Sequence, residues 1–150
     1  MGLKSSEVIE ALGLEPLPIE GGMFRRVYAD DYSSAIYFLV TPEDFSAFHK
    51  LTSVEVWHHY AGDPAELVLL NPDGSVTREV LGTDFTRNER PLSVAPVNTW
   101  MAARTLGEWT LFGTTMAPGY TPDMYEHGDR KSLLKAYPQA AEPINSLTRE

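Results

Sequence analysis

Between residues 22 and 126 the apolar residues come in short runs divided by turn-forming residues, without helical spacing. Segments 23–29, 34–41, 45–50, 54–61, 66–70, 75–81, 92–95, 99–104 and 108–117 read as strands. The run from Ile36 to Val40 is wholly apolar, which predicts cover on both faces, by a facing sheet or a second subunit. Asp30-Asp31, Thr52-Ser53 and Gly62-Asp63-Pro64 interrupt the pattern. In Asn71-Pro72-Asp73-Gly74 proline pre-sets φ at the second position of a turn and glycine closes it.

Helical spacing is confined to the ends. Ser5 or Ser6 can cap a helix over about 6–13 whose stripe is Val8, Ile9 and Leu12, with Gly13 as C-cap and Pro16 and Pro18 barring continuation. Asp129 can cap a second helical stretch over about 129–147, with Leu133 and Tyr137 on one face before Pro138, then Ala140, Ile144 and Leu147. Many short antiparallel strands with helices only at the termini predict an all-β barrel or jelly roll over about 22–126.

Composition narrows the picture. A chain of 150 residues suits one domain, 1–150, and its eleven prolines and eleven glycines suit many turns. The absence of cysteine excludes disulfides, thiolate metal sites and thiol catalysis. A net charge of −9 argues against nucleic acid or an anionic membrane surface as partner. No apolar run approaches the roughly 20 residues of a membrane span, and residues 1–15 lack the apolar core of a signal peptide. A soluble, cytoplasmic protein is expected.

Candidate chemistry concentrates in residues 45–62, which hold His49, His58 and His59 around Glu55 and Trp57. Imidazole and carboxylate together serve metal sites and general acid/base catalysis. Strand alternation puts Glu55, Trp57 and His59 on one face and Val56, His58 and Tyr60 on the other, and a bulge would exchange the sets. Arg25, Arg26 and Arg104 can meet an anionic substrate group or form surface ion pairs. Tyr120, Tyr125 and His127 either cover a pocket mouth or connect barrel to helix. No glycine-rich phosphate loop, serine elbow or acidic metal loop is present.

The spacing of His49, Glu55 and Gly62 resembles the first motif of the cupin superfamily, a His-x-His pair ahead of a Glu with a Gly seven positions later. Pro96-Val97-Asn98-Thr99-Trp100-Met101 lies where the second motif has Pro-x-Gly-x-x-His, with Asn98 at the glycine of the turn. The runs FHKLTSVEVWHHYAGDPAELVLL, PVNTWMAAR and APGYTPDMYEHGDRKSLLKAYP resemble the cupin 5 (DUF985) family, related in fold to RmlC-like sugar epimerases. This likeness implies a double-stranded β-helix, the cupin jelly-roll barrel, and a homodimer. It also implies that metal-binding members take their ligands at His49, Leu51, Glu55 and Met101. Leucine cannot ligate and methionine is a soft ligand suited mainly to copper, so no metal or other cofactor is expected.

What remains is a pocket in the barrel for a small-molecule ligand. His49 and Glu55 are the candidate acid/base pair, and Trp57, His59, His58, Met101 and Tyr37 the candidate ligand-binding residues. Three functions are open: a metal-independent isomerase, epimerase or lyase; a non-catalytic sensor or storage protein; and a metal-dependent enzyme using His59 or the 120–129 segment. The carbohydrate-like substrate of the first comes from the resemblance alone.

Overall fold

The structure is a computed structural model that describes residues 2–149. Helix α1 (Ser5–Leu12) is followed by β1 (Glu15–Pro16), β2 (Met23–Ala29), β3 (Ser34–Val40), β4 (Ser46–Leu51), β5 (Glu55–Gly62) and β6 (Ala65–Leu70). Then come β7 (Val76–Leu81), β8 (Leu92–Ala95), β9 (Trp100–Thr105), β10 (Thr110–Met116) and β11 (Tyr125–His127), and finally α2 (Arg130–Ala136) and α3 (Ala141–Ser146). The strands form two antiparallel sheets, ordered β1-β2-β3-β10-β5-β8 and β11-β4-β9-β6-β7, in a jelly-roll arrangement. The predicted strands are present. β1 and β11 are additional, too short to leave an alternating pattern. Among the described residues no helix is long and apolar enough to cross a membrane.

Alternation assigns each strand's faces. Phe38 and Val40 of β3, Trp57 of β5, Leu67 and Leu69 of β6 and Phe112 of β10 meet between the sheets. Trp57 packs edge-on to Phe112 and Phe38, at centroid distances of 5.1 and 5.9 Å. On the outer face of the second sheet, Phe48, Val68 and Leu70 are covered by Leu133, Tyr137, Ile144 and Leu147 of the C-terminal helices. Outside the first sheet, Leu39 and Leu111 pack with Val8, Leu14 and Trp109. The apolar run of β3 is therefore covered within the chain, on one face by the facing sheet and on the other by α1 and its neighbours.

The caps follow the sequence in two cases and depart in one. Gly13 ends α1 at φ 65°, and the Asp129 carboxylate accepts from Ser132 N at the start of α2. The N-cap of α1 is Lys4 rather than a serine, and the Glu7 side chain accepts from its backbone N–H at 2.9 Å. Asn98 holds φ 56°, a conformation asparagine tolerates better than most residues.

A network of two arginines and two glutamates fastens α3 to the second sheet. Arg104 donates to Glu66 at 2.9 Å and Glu142 at 2.8 Å, and Arg78 joins from β7. Hydrogen bonds from Arg104 and Ser146 hold the Glu142 carboxyl down at about 2.

Gly62 turns the chain out of β5 at φ 85°, and a Cβ there would meet the Trp109 carbonyl oxygen at 2.5 Å. Gly62→Ala is expected to lower stability by about 1–3 kcal/mol, from the left-handed backbone and the clash together. Chemical denaturation with an unchanged m-value would confirm it, and an unchanged midpoint would contradict it.

Candidate functional site

A cavity of about 210 Å³ opens between the sheets, with His49, Glu55, Trp57 and Glu20 in its wall. β4 delivers His49 and, two residues on, Leu51. β5 delivers Glu55 opposite Met116 and Trp57 opposite Thr114 of β10. Glu20 comes from the loop between β1 and β2. That loop is pinned by Ala47 N–H and Arg149 Nη1 donating to the Glu20 carbonyl, at 2.9 and 2.7 Å, and by Gly22 N–H donating to Asp44. Its backbone is tightly fitted, since a Cβ on Gly22 (φ 80°) would meet the Phe38 ring at 2.5 Å. Ile19 holds φ 71°, a rare conformation for a β-branched residue.

The hydrogen bonds set the state of His49. Its Nδ1 lies 2.8 Å from the Ala47 carbonyl, which can only accept, so the Nδ1 carries hydrogen and the neutral ring keeps its lone pair on Nε2. Nε2 stands 3.8 Å from Glu20 Oε1, and the ring stacks on Tyr125 at 5.4 Å. The imidazole is 1% exposed, and burial lowers its pKa despite the opposing pull of Glu55.

Both carboxyl groups move the other way. Burial pushes Glu20 up to about 7, against a 2.7 Å hydrogen bond from Ser46 Oγ and the nearby Arg149. Burial likewise pushes Glu55 up to about 7; His49 draws it down, the Glu20 charge pushes it further up, and Thr114 draws it down by hydrogen bonding. The result is an imidazole whose charge burial disfavours, in one largely apolar recess with two carboxyls that titrate near neutrality. Such a set can take a proton from one atom of a bound molecule and return one to another.

Residues 6–128 match the family Cupin superfamily (DUF985). The chain belongs to this family. It is 30% identical to a protein from Shewanella oneidensis, covering 99% of both chains with a TM-score of 0.93. It is 25% identical to a hypothetical protein from Leishmania major, covering 99% of this chain and 100% of that one with a TM-score of 0.90. A cupin 2 conserved barrel domain protein from Rhodopseudomonas palustris shares the fold at 14% identity, a TM-score of 0.64 and coverage of 91% and 90%. No curated protein matches the chain.

The metal site implied by the cupin resemblance does not fit these residues. Leu51 and Met101 are 2% and 0% exposed members of the inter-sheet core. Among the described residues, no three His, Asp or Glu side chains converge on a position that could hold a metal ion. Glu20 approaches His49 but does not restore a ligand set.

The structure brings His49, Glu55 and Trp57 together and leaves the other sequence candidates apart. Met101 lies opposite His49 on β9 but packs into the core and is absent from the cavity wall. Tyr37 faces the α1 side of β3, with Leu39 and Trp109. His58 bonds Thr115 Oγ1 at 3.1 Å and stacks on Tyr60, on the outer face. His59 shares the inner face, opposite Phe112, but four residues along the strand put it about 13 Å from Glu55. There its Nε2 bonds the Asp63 carbonyl. Tyr120 and Tyr125 line the cavity, whereas His127 bonds the Tyr125 hydroxyl at 3.1 Å. Sequence reasoning missed Glu20. Its only local signal is a lone carboxylate after an apolar residue, followed by two glycines, and no periodicity marks it.

Proposed function

We propose that the pocket carries out a metal-independent proton transfer, an isomerisation or epimerisation of a small carbohydrate-like metabolite. The observation that carries this reading is the placement of His49 Nε2, held by the Ala47 carbonyl behind it and facing Glu20 at 3.8 Å, with Glu55 in the same cavity. His49 and Glu55 exchange the substrate's protons, and Glu20 holds the proton in transit. A lining of apolar and aromatic side chains with a few polar groups among them suits a sugar-like ring, which has apolar faces and hydroxyl edges.

The test is exchange with solvent. Aldoses, ketoses and their acids are incubated with the protein in deuterium oxide, and deuterium at the carbon beside the carbonyl is read by proton NMR. Incorporation by the native protein and its loss in His49→Ala are expected. Binding without incorporation would contradict proton transfer and leave a non-catalytic binding protein.

Metal independence has its own check. Protein purified without an affinity tag is expected to hold well under one equivalent of zinc, iron, manganese or nickel by mass spectrometry of the metals. One tightly held equivalent, lost on mutating His49 or Glu55, would overturn it.

A further inference from the structure

Among the described residues, Arg26 is the pocket-wall cation that the proposed proton transfer does not use. Arg26 lies opposite Ile36 in the β2–β3 pairing, and Ile36 and Phe24 both pack against the inter-sheet core. Alternation therefore turns Arg26 toward the cavity it lines, and its exposure puts the guanidinium at the mouth. It lies near enough to Tyr120, also in the wall, to act on it electrostatically. The other arginines of these sheets are engaged: Arg25 donates to the Leu12 carbonyl, and Arg78 and Arg104 pair with Glu66 and Glu142. Among the described residues no carboxylate pairs with Arg26, in a chain with 21 Asp and Glu.

A second unsatisfied group lies deeper. Trp57 is 1% exposed, lines the same cavity, and its indole Nε1–H has no acceptor in the protein. A buried donor without a partner is costly, and oxygen on a molecule in the cavity is the natural acceptor.

We infer that the pocket takes a small anion whose carboxylate or phosphate meets Arg26 at the mouth while an uncharged oxygen of the same molecule accepts from Trp57 Nε1–H inside. The inference rests on the pocket being a substrate site and names the class of substrate. Planar guanidinium suits both oxyanions, and a cationic ligand would be repelled at the same position. At about 210 Å³ the cavity falls below the roughly 300–1,000 Å³ typical of drug-sized ligands, which disfavours anything as large as a nucleotide. Burial keeps Glu20 and Glu55 largely protonated below neutrality, so neither carboxyl need repel the anion there.

Two matched series test it by isothermal titration calorimetry at pH 6: glycerol, glycerate and glycerol 3-phosphate, then glucose, glucuronate and glucose 6-phosphate. At least one anion is expected to bind more tightly than its uncharged sibling, and the carboxylate and phosphate arms identify which. Arg26→Gln should weaken that anion by about 10- to 100-fold, as loss of a charge-assisted hydrogen bond implies. Arg25→Gln should not, and Trp57→Phe should weaken charged and uncharged members alike. Equal affinity within each series, no binding by any anion, or an Arg26→Gln affinity within twofold of native would overturn the inference. Deuterium exchange into uncharged sugars would then still support proton transfer. Its absence beside intact anion discrimination would count against that reading alone.

Discussion

His49→Ala is expected to lower solvent-deuterium exchange by about 10²- to 10⁴-fold, the usual cost of removing one general acid/base group. The variant should still fold, because the inter-sheet core of Trp57, Phe38 and Phe112 does not depend on the imidazole. It does lose the bond to the Ala47 carbonyl and the stack on Tyr125, so about 1–3 kcal/mol of stability should go with it. Glu55→Gln keeps shape and hydrogen bonding but cannot carry the proton, and should reduce exchange less severely. Melting temperature and exchange must be read on the same samples. A large fall in melting temperature with exchange per folded molecule unchanged would make His49 structural.

The second large effect is on the pH dependence of stability. A carboxyl raised to about 7 in the fold keeps its proton at pH values where the unfolded chain, titrating near 4.5, has lost it. The folded state then binds more protons, and stability falls as pH rises through that window. Glu20 and Glu55 each contribute up to about 3 kcal/mol of this fall, complete once pH exceeds about 7. His49 acts oppositely: its lowered pKa leaves the unfolded chain with more protons, so its contribution rises with pH until the ordinary histidine range is passed. One group against two leaves a net decline. The native protein should therefore melt at a higher temperature near pH 5.5 than near pH 8, and Glu20→Gln/Glu55→Gln should remove the decline. A native profile that rises from pH 5.5 to 8 would contradict the burial of both groups as acids.

Much of this architecture is legible in the sequence because strand alternation is local. Phe38 and Val40 face one way and Tyr37 and Leu39 the other, as the period of two requires. The same period correctly groups Glu55, Trp57 and His59 on one face, yet it carries no depth. His59 is inward but far along the strand, where a bulge between Leu111 and Phe112 interrupts the β5–β10 register. Met101 shows the converse limit: it is paired with His49 across β4 and β9, but packing sends it into the core. Glu20 was beyond reach of pattern reading, because its position depends on Ala47 and Arg149, which are distant in sequence. Of the three arginines singled out for an anion, only Arg26 lines the pocket, and that choice required knowing which face of β2 meets the core.

The proposed proton transfer requires that Glu20, His49 and Glu55 act as one coupled proton-holding unit near neutral pH. Carbon-13 detection of the glutamate carboxyls, with nitrogen-15 detection of the His49 ring between pH 4 and 9, tests it without any ligand. Expected are two carboxyl resonances that both titrate well above the ordinary carboxylate range, near 7, each assigned by a single Gln variant, and a His49 ring that keeps its proton on Nδ1 and takes up no second proton in the ordinary histidine range. Carboxyls that titrate independently near 4.5, beside a His49 that takes up a second proton near 6.5, would contradict it.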